Sequence, residues 1–458
     1  MKTVPSLTTG SIPKTLFTFA LPILLGNVLQ SVNGSINAVW IGKYLGAAAL
    51  TGANNSNIVI FLLLGAVFGI TMASTILIAQ HYGAQRLDEA KRVTGTSATF
   101  FFGLSLLFSI GGFFAAPHIL HWMGTPADAL DYGVDYLRVM FVALPASYAF
   151  FFVNGALRGA GDSKTPFRFL VMSVTLDILL NPLFIFGLGP LPGLGIAGSA
   201  LATLVSQSLS LAAILRHVYK ERNPLAIHRG EGHLLRIDWQ IIRSLVVKGI
   251  PMGLQMIVLS SSMVLFLRVV NRFGSDTAAA FAADMQLWTY VQMPALALGA
   301  AVSSMAAQNI GAKQWHRVAD IAKYGVLFNL LLTGTPVLLI YLGEGLAISV
   351  FLPAHSPALD IAVHMNHIIL WSYPLFGISM VLSGVVRAAG AVMAPLFILL
   401  ISLLIVRTPL AEYGYAQWGA DGVWWSFSIS AIVAALLSAT YYLAGSWRSA
   451  SMRVGASA

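Results

Sequence analysis

The chain has 458 residues, of which 57% are hydrophobic and only 9% charged, with a mean hydropathy of +0.79. Soluble domains carry roughly 25% charged residues, so a water-soluble enzyme of this size is excluded: it would lack the polar residues to cover its surface. Cysteine is absent, which removes disulfides and thiolate metal or redox sites. The net charge of +9 does not indicate nucleic acid, because few basic residues form the clusters interleaved with aromatics that such binding needs.

Apolar runs of this length, broken by short polar stretches, mark helices that cross a bilayer about 30 Å thick. Twelve spans are predicted in chain order, at 15–39, 47–79, 94–116, 132–157, 167–187, 194–218, 245–270, 281–308, 324–352, 361–386, 394–411 and 420–446. The first follows Lys2 and Lys14, but its apolar stretch is too long for a signal peptide and lacks a small-residue cleavage site, so it is read as retained. Gly65-x-x-x-Gly69 and Gly155-x-x-x-Gly159 have the spacing of close helix packing. The longest polar stretch, 219–243, lies between the sixth and seventh spans. It predicts an N-terminal lobe at 1–220, a cytoplasmic linker at 221–243 and a C-terminal lobe at 244–458.

Twelve spans place all but five of the 26 Lys and Arg residues on one side; Lys43, Arg138, Arg268, Arg272 and Arg407 fall on the other. Positive charge collects on the cytoplasmic side, which predicts a multi-pass protein of the cell inner membrane with both termini cytoplasmic. The halves also repeat. Pro22 and Pro251, Pro145 and Pro374, Arg158 and Arg387, Gly161 and Gly390, and Pro166 and Pro395 all stand 229 residues apart. Six spans per half bring both halves into the membrane from the same side, so the predicted fold is an all-α membrane protein. Its twelve helices form two six-helix lobes related by a pseudo-twofold axis along the membrane normal.

The stretch Leu157-Arg158-Gly159-Ala160-Gly161-Asp162-Ser163-Lys164-Thr165-Pro166 is followed by Leu176-Asp177-Ile178-Leu179-Leu180-Asn181-Pro182 and by Gly195-Ile196-Ala197-Gly198-Ser199-Ala200-Leu201-Ala202-Thr203. With the Gln-x-x-Gly-Ala segments that begin at Gln80 and Gln308, this ordered set resembles the multidrug and toxic compound extrusion (MATE) family over nearly the whole chain. The resemblance implies a secondary antiporter that exports organic, often cationic amphipathic compounds against protons or sodium ions by rocking two lobes. In many members an Asp stands where this chain has Asn37. The fifth helix of many relatives reads Asn then Asp, whereas this one reads Asp177 then Asn181. The helix-seven acid of another branch is absent near Leu259 and Ser260. One deep carboxylate is thus expected where relatives often have two, which favours protons over sodium as the coupling ion.

Asp177 lies mid-span, where a charged carboxylate costs about 2.5–3.5 kcal/mol on insertion scales, so it should face a cavity or be protonated. The coupling residues expected around it are Asn37, Asn154, Asn181 and Thr203; interhelical hydrogen bonding, about 0.6 kcal/mol each, is the alternative role for the neutral ones. Gln30, Asn33, Gln255 and Asp284 are candidates for the substrate cavity. Asn54, Asn55 and Asn57 add to an unusually polar side of the first two spans. Asp284 is read as an end residue in contact with water rather than a second deep acid. His364 and His367, near Asp360, are read as an interfacial pair rather than a proton relay or metal site. No nucleophile–base pair or phosphate-cradling loop is found, so no enzyme activity and no cofactor are expected. The expected partners are drug-like small molecules and the bilayer, with the protein a monomer. The rival reading is a flippase for lipid-linked intermediates, which would gain if Arg268 and Arg407 both entered the cavity.

Overall fold

The computed structural model describes residues 7–188, 191–228, 230–349, 352 and 356–452. Lys2, Arg229 and Arg453, counted above on the cytoplasmic side, and the end of the ninth predicted span lie outside the described residues. The chain is helical almost throughout. Helices α1 (Ile12–Tyr44), α2 (Ala47–Gly83), α3 (Leu87–Trp122), α4 (Ala127–Gly159), α5 (Lys164–Phe186) and α6 (Gly195–Lys220) account for the first half. The exception is a short antiparallel ladder of β1 (Gly187–Leu188) and β2 (Leu191–Pro192) between α5 and α6. The second half has α7 (Trp239–Val270), α8 (Ser275–Gly311), α9 (Trp315–Ile348), α10 (Pro357–Ile369), α11 (Tyr373–Ala389), α12 (Met393–Leu399), a π-helical stretch Leu400–Arg407, and α13 (Thr408–Ala444).

Among the described residues, eleven helical segments are long and apolar enough to cross a membrane. The last, Met393–Ala444, runs for 52 residues and breaks at Gly419 (φ 64°, ψ −136°), so it holds both of the last two predicted spans. The tenth span is made of α10 and α11, joined by a 3-10 turn at Leu370–Ser372.

Contacts divide the chain into two compact units: Leu25–Gly249, and Leu7–Leu24 together with the chain from Ile250 onward. In the first unit α4 packs on α2, α3 and α6, and α5 packs on α6. The α2–α4 approach depends on the paired glycines anticipated from their spacing: a Cβ on Gly159 would lie 2.7 Å from the Thr75 carbonyl oxygen. In the second unit α8 packs on α9, α10 and α11, and α11 also meets α9 and α13. The repeat glycines have a shared cause. Gly161 (φ 96°) and Gly390 (φ 103°) both turn the chain in the left-handed region, which side chains disfavour.

The partition differs from the predicted lobe boundaries in two places. The segment expected to be a linker is docked on α3 as part of the first unit. Lys91 pairs with Glu231 at 2.7 Å, Arg92 with Asp238 at 2.7 Å, and the Thr96 and Thr99 hydroxyls donate to the Arg236 and Leu235 carbonyls. Gly95 lets this segment lie directly against the helix. A polar composition signals solvation and not the lack of a docking face, which is why the sequence suggested a linker. The other difference is that both changeovers between units fall inside helices, after Leu24 in α1 and after Gly249 in α7, close to the repeat prolines Pro22 and Pro251. The lead-in to α1 is held by the second unit: Leu7 N–H donates to Gln308 Oε1, Asn309 Nδ2 to the Leu7 carbonyl, and Arg317 Nη1 to the Gly10 carbonyl.

Candidate functional site

In the first unit, α1 and α5 each present two polar residues one helical turn apart, Asn33 and Asn37 facing Asp177 and Asn181. Asn33 Nδ2 and Asn37 Nδ2 both donate to Asp177 Oδ2 at 2.9 Å. Thr203 Oγ1 of α6 donates to Asp177 Oδ1 at 3.1 Å, and Asn181 Nδ2 donates to Asn37 Oδ1 at 3.0 Å. The Asn33–Asp177 and Asn37–Asn181 pairs are each 144 residues apart, so the two helices are in register and run the same way. Asp177 is 2% exposed and Asn181 fully buried.

All three groups on the carboxylate are neutral donors. They match an ionised acid, which only accepts, and a carboxamide can turn its oxygen to a protonated one. Asn33 Oδ1 and Asn181 Oδ1 are buried and have no partner. With the carboxylate they form a set of oxygen atoms of the kind hard cations take. Buried Tyr136 of α4 lies within the electrostatic reach of Asp177 and donates its hydroxyl to Asn57 Oδ1 at 3.3 Å. The sequence reading did not single out Tyr136, and it put Asn33 in the substrate cavity. The i, i+4 pairing of Asn33 with Asn37 was the signal available for Asn33, whereas nothing local marks Tyr136.

The remaining candidates are more dispersed. Asn154 donates to the Phe150 carbonyl of its own helix at 2.7 Å and makes no hydrogen bond to Asp177; its Oδ1 has no partner. Gln30 is exposed. Asn55 donates to Thr125 Oγ1. Gln255 is buried, accepts from Arg387 Nη1 at 2.8 Å, and has an unpartnered Nε2.

Asp284 requires correction: it is fully buried, not an end residue in water. α8 begins at Ser275, before the predicted span, because its Ala-rich first turns carry too little hydropathy to mark it. Asn366 Nδ2 donates to Asp284 Oδ1 at 2.7 Å, Trp288 Nε1 donates to Asn366 Oδ1 at 2.7 Å, and Asp284 Oδ2 has no partner. His364 is exposed and meets Asp421 at 2.7 Å. Among the described residues no group of three or more His, Cys, Asp or Glu could hold a metal ion. Arg268 is exposed, whereas Arg407 is buried within the second unit against Phe427.

Comparison with known proteins agrees with this architecture. The MatE family model matches residues 22–183 and again 251–412, the second match lying 229 residues after the first at both ends. The chain is 35% identical over 434 residues to the probable multidrug resistance protein YoeA of Bacillus subtilis (strain 168), covering 94% of each. It is 24% identical over 453 residues to an FAD transporter of Shewanella oneidensis, covering 97% of each. Its fold is similar, with a TM-score of 0.88 at 20% identity, to that of an outward-facing multidrug resistance MATE family transporter of the MOP superfamily. That likeness covers 97% of this chain and 98% of the other.

Proposed function

The chain belongs to the MatE family, whose multidrug transporters are transport proteins and not enzymes, and from that premise we propose that it exports organic, often cationic and amphipathic compounds in exchange for protons. Export would proceed by alternating access, from a single chain in the cell inner membrane with both termini cytoplasmic. The observation that carries the reading is the isolation of Asp177. It is a buried acid on a membrane helix whose hydrogen-bond partners are neutral donors from α1 and α6.

Among the described residues an ionised Asp177 has hydrogen bonds but no counter-ion, so it offers a single acidic position to a proton or a cationic substrate, and each excludes the other. Asn33 and Asn37 hold the carboxylate against α1, and Thr203 holds its other oxygen; amide rotation lets the same residues serve the protonated acid. A proton moving inward through 100 mV supplies about 2.3 kcal/mol. At about 1.4 kcal/mol per decade, that supports a gradient of roughly fifty-fold for a neutral drug. A second reading, sodium coupling, is favoured by the two unpartnered amide oxygens beside the acid.

The test is ethidium transport into proteoliposomes with proton and sodium gradients imposed separately. Proton coupling requires transport under the proton gradient alone, and transport under the sodium gradient alone selects the second reading. Asp177→Asn should abolish drug-driven proton release from everted vesicles at normal membrane abundance. Normal coupling in that variant would refute the role of Asp177.

A further inference from the structure

A basic residue stands in the second repeat next to the position that matches the acid of the first. Arg407 comes 230 residues after Asp177, one more than the 229-residue repeat. It ends the π-helical stretch Leu400–Arg407, and a π turn takes up one residue more than an α turn. In strict register the counterpart of Asp177 is Val406, and Arg407 follows it directly.

The surroundings of Arg407 are those of an incomplete site. The residue is 6% exposed. Its guanidinium carbon lies 3.8 Å from the centroid of Phe427, so one face is covered by a ring. Its Nε donates to Ser430 Oγ at 2.8 Å, and the Ser430 hydroxyl proton goes to the Phe427 carbonyl, which fixes Ser430 as the acceptor. Nη1 and Nη2 form no hydrogen bond among the described residues, and neither is among the buried, sealed-off atoms that lack partners. That leaves the Nη1–Nη2 edge free and reachable.

No ion pair neutralises Arg407 among the described residues. Asp284, also buried in this unit, is held by Asn366; the rings of Trp288, Tyr373 and Phe427 pack against one another with centroids 5.7–6.0 Å apart, Trp288 donating to Asn366 and Phe427 covering Arg407. A guanidinium keeps its charge, and burying it unpaired in a membrane-spanning bundle is costly. A packing role alone would be served better by an apolar residue.

We propose that Arg407 is the docking point for the carboxylate of an amphipathic substrate. With Nε taken by Ser430 and one face covered by Phe427, the remaining edge offers two parallel N–H donors, the geometry that a planar carboxylate meets in bidentate fashion. The substrates of this protein thus include organic acids and zwitterions with an apolar body as well as cations. This extends the export reading and rests on it for the direction of movement, but the binding itself needs no ion gradient.

The experiment measures equilibrium binding to the purified full-length protein in nanodiscs, by fluorescence anisotropy, of a rhodamine carrying a free carboxylate and of its methyl ester. Wild type should prefer the carboxylate form. Arg407→Gln should lower the carboxylate-to-ester affinity ratio by about tenfold or more, as expected for loss of a charge-assisted pair, and Arg407→Lys should restore part of it. Equal affinities in wild type, or an unchanged ratio in Arg407→Gln, would overturn the proposal. If Arg407→Gln does not fold, the wild-type ratio and Arg407→Lys decide. Absence of proton- or sodium-driven ethidium transport by wild type counts against the export reading and leaves this binding result standing.

Discussion

Gly95→Ala provides a sharp test of the segment docked on α3. The added Cβ would sit 2.2 Å from the Leu234 carbonyl oxygen and 2.8 Å from its carbon, both backbone atoms, so the segment must retreat by roughly 1 Å or more. The Thr96 bond to Arg236, already 3.3 Å, and the Thr99 bond to Leu235 at 2.8 Å then stretch out of range. Overpacking costs about 1–3 kcal/mol, each lost bond about 0.5–1.5 kcal/mol, and replacing Gly by Ala in a helix returns about 1 kcal/mol. The net is about 1–5 kcal/mol, enough to undock the segment by about fivefold or more without unfolding the unit. Hydrogen exchange of residues 232–238 measures this. Gly103→Ala is the control, since nothing lies within 4 Å of its added Cβ on the same helix. Unchanged protection of 232–238 in Gly95→Ala would refute the reasoning.

The same segment should respond to pH. The Lys91 ammonium, and after it the His228 backbone N–H, hold Glu231 below its ordinary value of 4.5. A depressed carboxylate stabilises docking above 4.5, and that contribution is lost as pH falls through its lower folded value. Exchange of 232–238, corrected for its own pH dependence, should therefore stay flat from neutral pH to about 4.5 and rise only below it. Lys91→Met should move that rise to higher pH. Gly159→Ala, which drives a methyl against the Thr75 carbonyl, should cost about 1–3 kcal/mol in thermal unfolding. Trp288→Phe removes the donor to Asn366 and should destabilise by about 1–3 kcal/mol, read as a lowered denaturation midpoint.

The spans were legible because a bilayer demands long apolar runs, and the repeat because prolines and glycines at turns and breaks, such as Gly161 and Gly390, are fixed by backbone geometry. Asp177 was legible through its rarity, a carboxylate deep in an apolar run. The ring around it was only partly so: periodicity puts Asn33 above Asn37, but which helix they face is set by packing. Asp284 was placed too near the water because small alanines weaken hydropathy without shortening a helix. Docking of the polar segment on α3 depends on a missing side chain at Gly95, and one glycine among 42 carries no label saying which neighbour it admits.

The division of α1 after Leu24 constrains how the protein is made. Residues 7–24 leave the ribosome long before their partners, including Gln308, Asn309 and Arg317, which belong to a unit that resumes only at Ile250. At about 5–20 residues per second, that unit takes roughly 10–40 s more to be synthesised. The first unit can finish its own packing in that interval while the opening turns of the chain wait in the bilayer. Maturation therefore joins an early-made segment to a later-made one, and a lesion at Gln308 or Asn309 should strand residues 7–24 and expose the protein to quality control late in its biogenesis.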